Sequence, residues 1–151
     1  GRAGRGETRG KVIIQTLQPE HYAISLAANN EYETLIEKEL AIRQEVGFPP
    51  FCRLVFIIVE DPEDQVARAS SRTIVDMARN WCRTHDHSQS LSLLGPVPAP
   101  LERLRDRYRW QILIKSTSLL PLHSLVDWIS ETYQAPSATR VIIDIDPENM
   151  L

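Results

Sequence analysis

Two sets of arginines are the residues of this chain best suited to chemistry. Arg2 and Arg5 stand three positions apart in the opening run Gly-Arg-Ala-Gly-Arg-Gly. On a helix such positions are surface neighbours, so two guanidinium groups converge on one anionic target. The phosphate chain of a nucleotide suits them, because arginine offers a planar fork of donors and keeps its charge. Phosphoryl-transfer enzymes set such groups against the charge that develops on the transferred group. No G-x-x-x-x-G-K-S/T loop is present to cradle that nucleotide. On residue types alone, a solvated terminus rich in glycine and arginine stays open as the alternative.

The second set is Arg103, Arg105, Arg107 and Arg109, with Lys115 further along. Alternate residues of an extended segment share a side, which predicts a ladder of four guanidiniums with Tyr108 and Trp110 opposite. Basic groups at this spacing suit sequence-independent contact with a nucleic-acid backbone. Nearby aromatics can stack on unpaired bases. The alternative is a solvated segment whose arginines pair with Glu102 and Asp106, pairs worth about 0–1 kcal/mol each. Trp110 is read as a core residue rather than a stacking platform.

The remaining candidates are weaker. Cys82, His85 and His87 lie close in sequence, but a structural zinc site takes four ligands and no fourth is near. They are read as a polar helix end, and no metal is expected. Cys52 and Cys82 are not part of a C-x-x-C pair and are expected to be buried thiols. His21 and His123 show no acid-base partners. Asp144 and Asp146 are read as a sheet-edge and a turn residue rather than a catalytic pair. No serine or cysteine nucleophile setting is present.

The elements that must position these groups follow from periodicity. Lys11–Thr16 has strand character, and a helix-like stretch starts at Pro19-Glu20-His21. A helix follows from Tyr32 to Val46, ended by Gly47 and Pro49-Pro50. Leu54–Glu60 is too continuously apolar for a half-exposed strand and belongs in the middle of a sheet. Asp61 and Pro62 open a helix whose buried stripe is Val66, Ala69, Ser70, Ile74, Met77, Ala78 and Trp81. Leu91–Leu94 is a short strand stopped by Gly95 and three prolines. Tyr108–Lys115 is the next strand. Ser118 caps a helix burying Leu122, Leu125, Val126, Ile129 and Tyr133, and Val141–Ile145 is the last strand. The order β-α-β-β-α-β predicts an α+β fold: four antiparallel strands with two helices on one face.

The chain has 151 residues, 42% of them hydrophobic, enough for one domain plus an appendage. Its net charge of −3 argues against uniform attraction to nucleic acid, so any contact must be local. No apolar run is long enough to span a bilayer, and a cytoplasmic location is expected.

The residues quoted so far, in order, carry a resemblance. Gly1–Gly6 with Gly10–Thr16, Pro19 and His21 look like motif six and the last strand of a helicase motor lobe. Glu39 and Arg43, then Gly47-Phe48-Pro49-Pro50-Phe51 and Arg53-Leu54, look like a junction. Leu94–Pro100, Tyr108–Leu113 and Asp144-Ile145-Asp146-Pro147 look like a C-terminal domain. Together the chain resembles the C-terminal part of the primosomal replication-restart DNA helicases, the PriA family. The resemblance implies residues 1–28 as a remnant of the second, RecA-like motor lobe, 29–50 as a connecting helix and linker, and 51–151 as a domain like ribosomal protein S10.

The resemblance also implies a function. The parent would be an ATP-driven DNA helicase moving 3′ to 5′, which recognises stalled forks and promotes primosome assembly. Arg2 and Arg5 correspond to arginines that face ATP. The parent would use ATP and magnesium, with zinc in an upstream segment; this fragment alone is expected to bind none of them and to hydrolyse no ATP. Expected partners are fork or single-stranded DNA, single-stranded-DNA-binding protein and primosome proteins, with no membrane. Arg103, Arg105, Arg107, Arg109 and Lys115 are the candidate DNA contacts. The helix start at Leu119-Leu120-Pro121 and His123 is apolar where some relatives are basic. Two other roles stay open: a protein-docking module without DNA contact, and an independent S10-like nucleic-acid-associated domain.

Overall fold

The structure, a computed structural model, describes residues 12–87 and 89–147. It divides into two compact units, Gly1–Ile42 and Arg43–Leu151.

In the first unit, helix α1 spans Tyr22–Ala28, and α2, Tyr32–Glu45, runs across the boundary between the units. His21 caps α1: its Nδ1 accepts from the Ala23 N–H at 3.3 Å. Tyr22 donates its hydroxyl to Glu39 Oε1 at 2.6 Å, tying α1 to α2. The strand expected at Lys11–Thr16 is not formed over residues 12–16. A strand exists only through pairing of its backbone groups, and residues 12–16 are paired with no strand among the described residues. Ile13 is accordingly 81% exposed.

The second unit is the four-stranded antiparallel sheet foreseen by the element order. Its strands are β1 (Arg53–Asp61), β2 (Leu91–Leu104), β3 (Arg107–Ser116) and β4 (Arg140–Ile145), arranged β2-β3-β1-β4. Helices α3 (Asp64–Thr84) and α4 (Leu119–Thr132) cross between them. Central β1 pairs with β3 and β4, which explains its unbroken apolar run. Val55, Ile57 and Val59 face the helices and join Ile74, Ala78, Ile112, Ile114, Leu122, Leu125 and Ile129 in one buried cluster. The α4 stripe is the expected one, except that Tyr133 is only partly buried.

Helix α2 ends in a Schellman motif. Phe48 N–H donates to Arg43 C=O at 2.7 Å and Gly47 N–H to Gln44 C=O at 3.2 Å, with Gly47 at φ +60°.

Three expectations need correction. The N-cap of α3 is Glu63, not Asp61. Asp61 instead accepts from the Glu63 N–H at 2.9 Å and from the Thr139 hydroxyl at 2.8 Å, and is itself buried. The buried stripe of α3 accordingly runs through Ala67, Ser70, Ser71, Ile74, Val75, Ala78, Trp81 and Cys82, leaving Ala69 exposed. Third, β2 does not stop at Leu94. It continues to Leu104 through two register irregularities. The prolines are tolerated because β2 is an edge strand, where an outward-facing position needs no N–H donor.

Gly95 permits one of those irregularities. It sits at φ +99°, and a Cβ built there would lie 2.8 Å from the backbone oxygen of Gln111. Gly95→Ala is expected to cost about 1–3 kcal/mol from the strained backbone alone. A drop in thermal midpoint against wild type checks it; an unchanged midpoint would mean β2 can shift away from β3 at no cost.

Candidate nucleic-acid interface

The arginine segment is a hairpin tip rather than one extended ladder. β2 ends at Leu104, which pairs with Arg107, and Arg105 and Asp106 form the two-residue turn. Both have positive φ, +50° and +59°, the backbone that matches the twist of a tight hairpin. The turn separates the four arginines into two pairs with different surroundings.

Arg103 and Arg105 are exposed at the tip. The Arg103 guanidinium lies 5.3 Å from the centroid of the Tyr108 ring, its cross-strand partner, and pairs with Asp106 at 3.0 Å. Both members of that ion pair are largely exposed, so it holds the side chain weakly.

Arg107 and Arg109 are spent on the fold. They project from β3 beside Glu60 of β1, the Cα partner of Arg109. Arg109 Nε lies 3.2 Å from Glu60 Oε1 and Arg107 Nε 3.8 Å from Oε2. Arg107 also donates to the Glu60 carbonyl at 3.0 Å and to the Ala138 carbonyl. The two Nε groups and Gln111 Oε1 are buried without an aligned hydrogen bond among the described residues. This cluster is held by charge more than by hydrogen-bond geometry.

Lys115 caps the end of α2. Its Nζ donates to the Val46 carbonyl at 2.6 Å and lies 4.8 Å from the Phe48 ring centroid. A cation suits this place, where the last carbonyls of a helix carry partial negative charge. Arg2 and Arg5 lie outside the described residues.

Sequence reasoning did not single out Glu60, Val46 or Asp64 as partners. Glu60 could have been noticed as one of two acids, with Asp61, ending an apolar strand, but its match to Arg107 and Arg109 depends on strand register. Trp110, expected in the core, is only part-buried. Its indole N–H donates to Asp64 Oδ1 at 2.8 Å, and Arg68 lies 5.5 Å from its ring centroid.

Three other candidates, Asp146, His85 and His87, have structural partners. Asp146, at φ +51°, accepts from the Leu54 N–H at 3.1 Å and from Arg53 at 3.0 Å. His85 and His87 stack on Trp81, with centroids 4.4 Å and 5.5 Å away. Both cysteines are buried. Burial pushes the Cys52 thiol up; nearby Lys115 works against this and Asp146 adds to it. Burial also pushes Cys82 up, against a backbone hydrogen bond that lowers it. Raised thiols are poor nucleophiles at neutral pH. Among the described residues no helix is long and apolar enough to cross a membrane.

Residues 44–148 match the family described as Primosomal protein N C-terminal domain. Over its whole length the chain is 34% identical to the replication restart protein PriA of Bacillus subtilis, of which it covers 18%. It is 30% identical to the same-named protein of Haemophilus influenzae over 99% of the chain and 20% of that relative. For the Synechocystis protein the figures are 31%, 97% and 17%. The chain thus spans about a fifth of the length of these relatives. With the match extending over most of the four-stranded unit, this chain belongs to the primosomal protein N C-terminal domain family.

Proposed function

We propose that this chain is the C-terminal portion of an ATP-dependent 3′-to-5′ DNA helicase that recognises stalled forks and promotes primosome assembly and replication restart. Its relatives carry the name replication restart protein. In that parent, Arg2 and Arg5 contact ATP phosphates, ATP acts with magnesium, and zinc is bound in an upstream segment. Cytoplasmic location and partnership with single-stranded-DNA-binding protein and primosome proteins belong to the same proposal, as do the boundaries 1–28, 29–50 and 51–151.

Within the described residues, the β2–β3 tip makes the DNA contact. The observation that carries this is the contrast between the two arginine pairs. Arg103 and Arg105 are exposed, Arg103 beside the Tyr108 ring, whereas Arg107, Arg109 and Lys115 are engaged by carbonyls and a carboxylate. Two exposed guanidiniums, one held only by a weak ion pair to Asp106, fit with Tyr108 a phosphate backbone and an unpaired base without reading sequence.

The test is single-stranded DNA binding by fluorescence anisotropy across a salt series. Replacing Arg103 and Arg105 with alanine is expected to reduce the slope of log K against log salt by about 0.7 for each lost phosphate contact. Arg107→Ala is less informative, because it also disturbs the fold. An unchanged slope in the double variant would overturn DNA contact at the tip. The second reading, a docking and bracing module, is favoured by the apolar side chains on the sheet face away from the helices. Leu94, Val97 and Ile142 are exposed there, and Phe56, Leu94, Gly95, Val97, Gln111 and Leu113 line a hollow of about 290 Å³.

A further inference from the structure

The outer edge of β2 is guarded along only part of its length. β2 is the terminal strand of the sheet, so alternate backbone groups along it face outward with no strand beyond them among the described residues. An edge of this kind is a template for pairing with another chain. Pro96, Pro98 and Pro100 remove N–H donors from one stretch. Leu91–Leu94, the stretch that pairs with Leu113–Ser116 on its inner side, carries no such block.

Beside that open stretch lies a cleft of about 520 Å³, lined by Asp76, Arg79, Cys82, Arg83, Leu91 and Leu93. Its floor is apolar: Leu91 and Cys82 are buried and Leu93 packs partly against the core. Its rim is cationic, with two guanidiniums against one carboxylate. Arg79 reaches Asp76 only at 3.8 Å with both side chains well exposed. Arg83 donates to the neutral amide oxygen of Asn80 at 3.3 Å. Neither contact neutralises its arginine firmly.

We propose that this edge and cleft receive an extended segment of another polypeptide as a fifth strand, with an apolar residue and a carboxylate two positions apart. Residues two apart on a strand share a face. The apolar side chain then enters the cleft over Leu91 and Leu93 while the carboxylate meets Arg79 and Arg83. Backbone pairing supplies the affinity, and the cleft supplies the choice of sequence. The proposal is independent of the DNA contact, which uses the opposite end of β2.

The test uses the isotope-labelled chain and two synthetic peptides, acetyl-Thr-Val-Thr-Glu-Thr-Val-Thr-Glu-amide and the same peptide with lysine in place of glutamate. The acidic peptide is expected to shift the amide resonances of Leu91–Leu94 and Cys82–Arg83 and to slow exchange of the outward β2 amides. The lysine peptide should bind roughly tenfold more weakly, since like charges would then face each other. In the double variant Arg79→Glu, Arg83→Glu, the preference should reverse while circular dichroism stays as in wild type. Equal binding of both peptides, shifts confined to β4, or no shifts at β2 would overturn the proposal. So would outward-facing amides of Leu91–Leu94 already protected from exchange in an intact full-length relative without peptide, because the parent would then cover this edge itself.

Discussion

Glu60→Gln is expected to lower the stability of the Arg43–Leu151 unit by about 3–5 kcal/mol, the cost of leaving buried charge uncompensated. The side chains of Glu60, Arg107 and Arg109 are 13%, 15% and 9% exposed. Glutamine keeps the size and removes the charge, so two guanidiniums remain against the sheet without their anion. The Arg107 donations to the Glu60 and Ala138 carbonyls survive, which limits the loss at that residue. Arg109 has no such support and carries most of the effect. Urea unfolding followed by tryptophan fluorescence measures it as a fall in the midpoint. A companion variant separates charge from packing: Glu60→Met combined with Arg109→Met replaces the closer pair with apolar groups. It should recover most of the loss, because a well-packed apolar pair often matches a buried ion pair. If Glu60→Gln unfolds at the wild-type midpoint, water reaches this cluster and its charges are solvated.

Ile57→Ala is expected to cost about 2–5 kcal/mol, made up of lost transfer energy and the cavity left behind. Ile57 has no exposed surface and stands at the centre of the sheet, paired with Ile112 on one side and Ile143 on the other. Both helices cover it, so the surrounding side chains have little freedom to close the gap. Ile142→Ala is the control. Ile142 is on neighbouring β4, is 46% exposed and faces the side without helices, so its loss should stay within about 0.5 kcal/mol. Equal losses from the two variants would mean that the sheet is buried on both faces in solution.

The strands and helices of the larger unit were legible because burial imposes a period on sequence. The run Leu54–Glu60 announced a central strand, and the spacing Leu122, Leu125, Val126, Ile129 announced the inner face of α4. Proline misled at β2, because its meaning depends on whether a strand is central or at an edge, and sequence alone does not state strand order. Alternation misled at the arginines. Period two holds only while a strand continues, and Arg105-Asp106 lacks the glycine or asparagine that usually marks a tight turn. At Lys11–Thr16 the residues had strand character, but residues 12–16 are paired with no strand among those described. The partners of Lys115 and Arg109 come from far along the chain: Val46 from the turn after α2, and Glu60 through the register of β1 against β3.

The two-residue turn has a consequence for recognition. A longer loop would let Arg103 and Tyr108 wander, and a ligand would have to freeze them on arrival. Here the hairpin has already fixed their backbones opposite each other, so the backbone share of the ordering entropy is lost during folding and would not oppose association. The weak ion pair to Asp106 would then act as a latch, yielding to a more strongly charged anion.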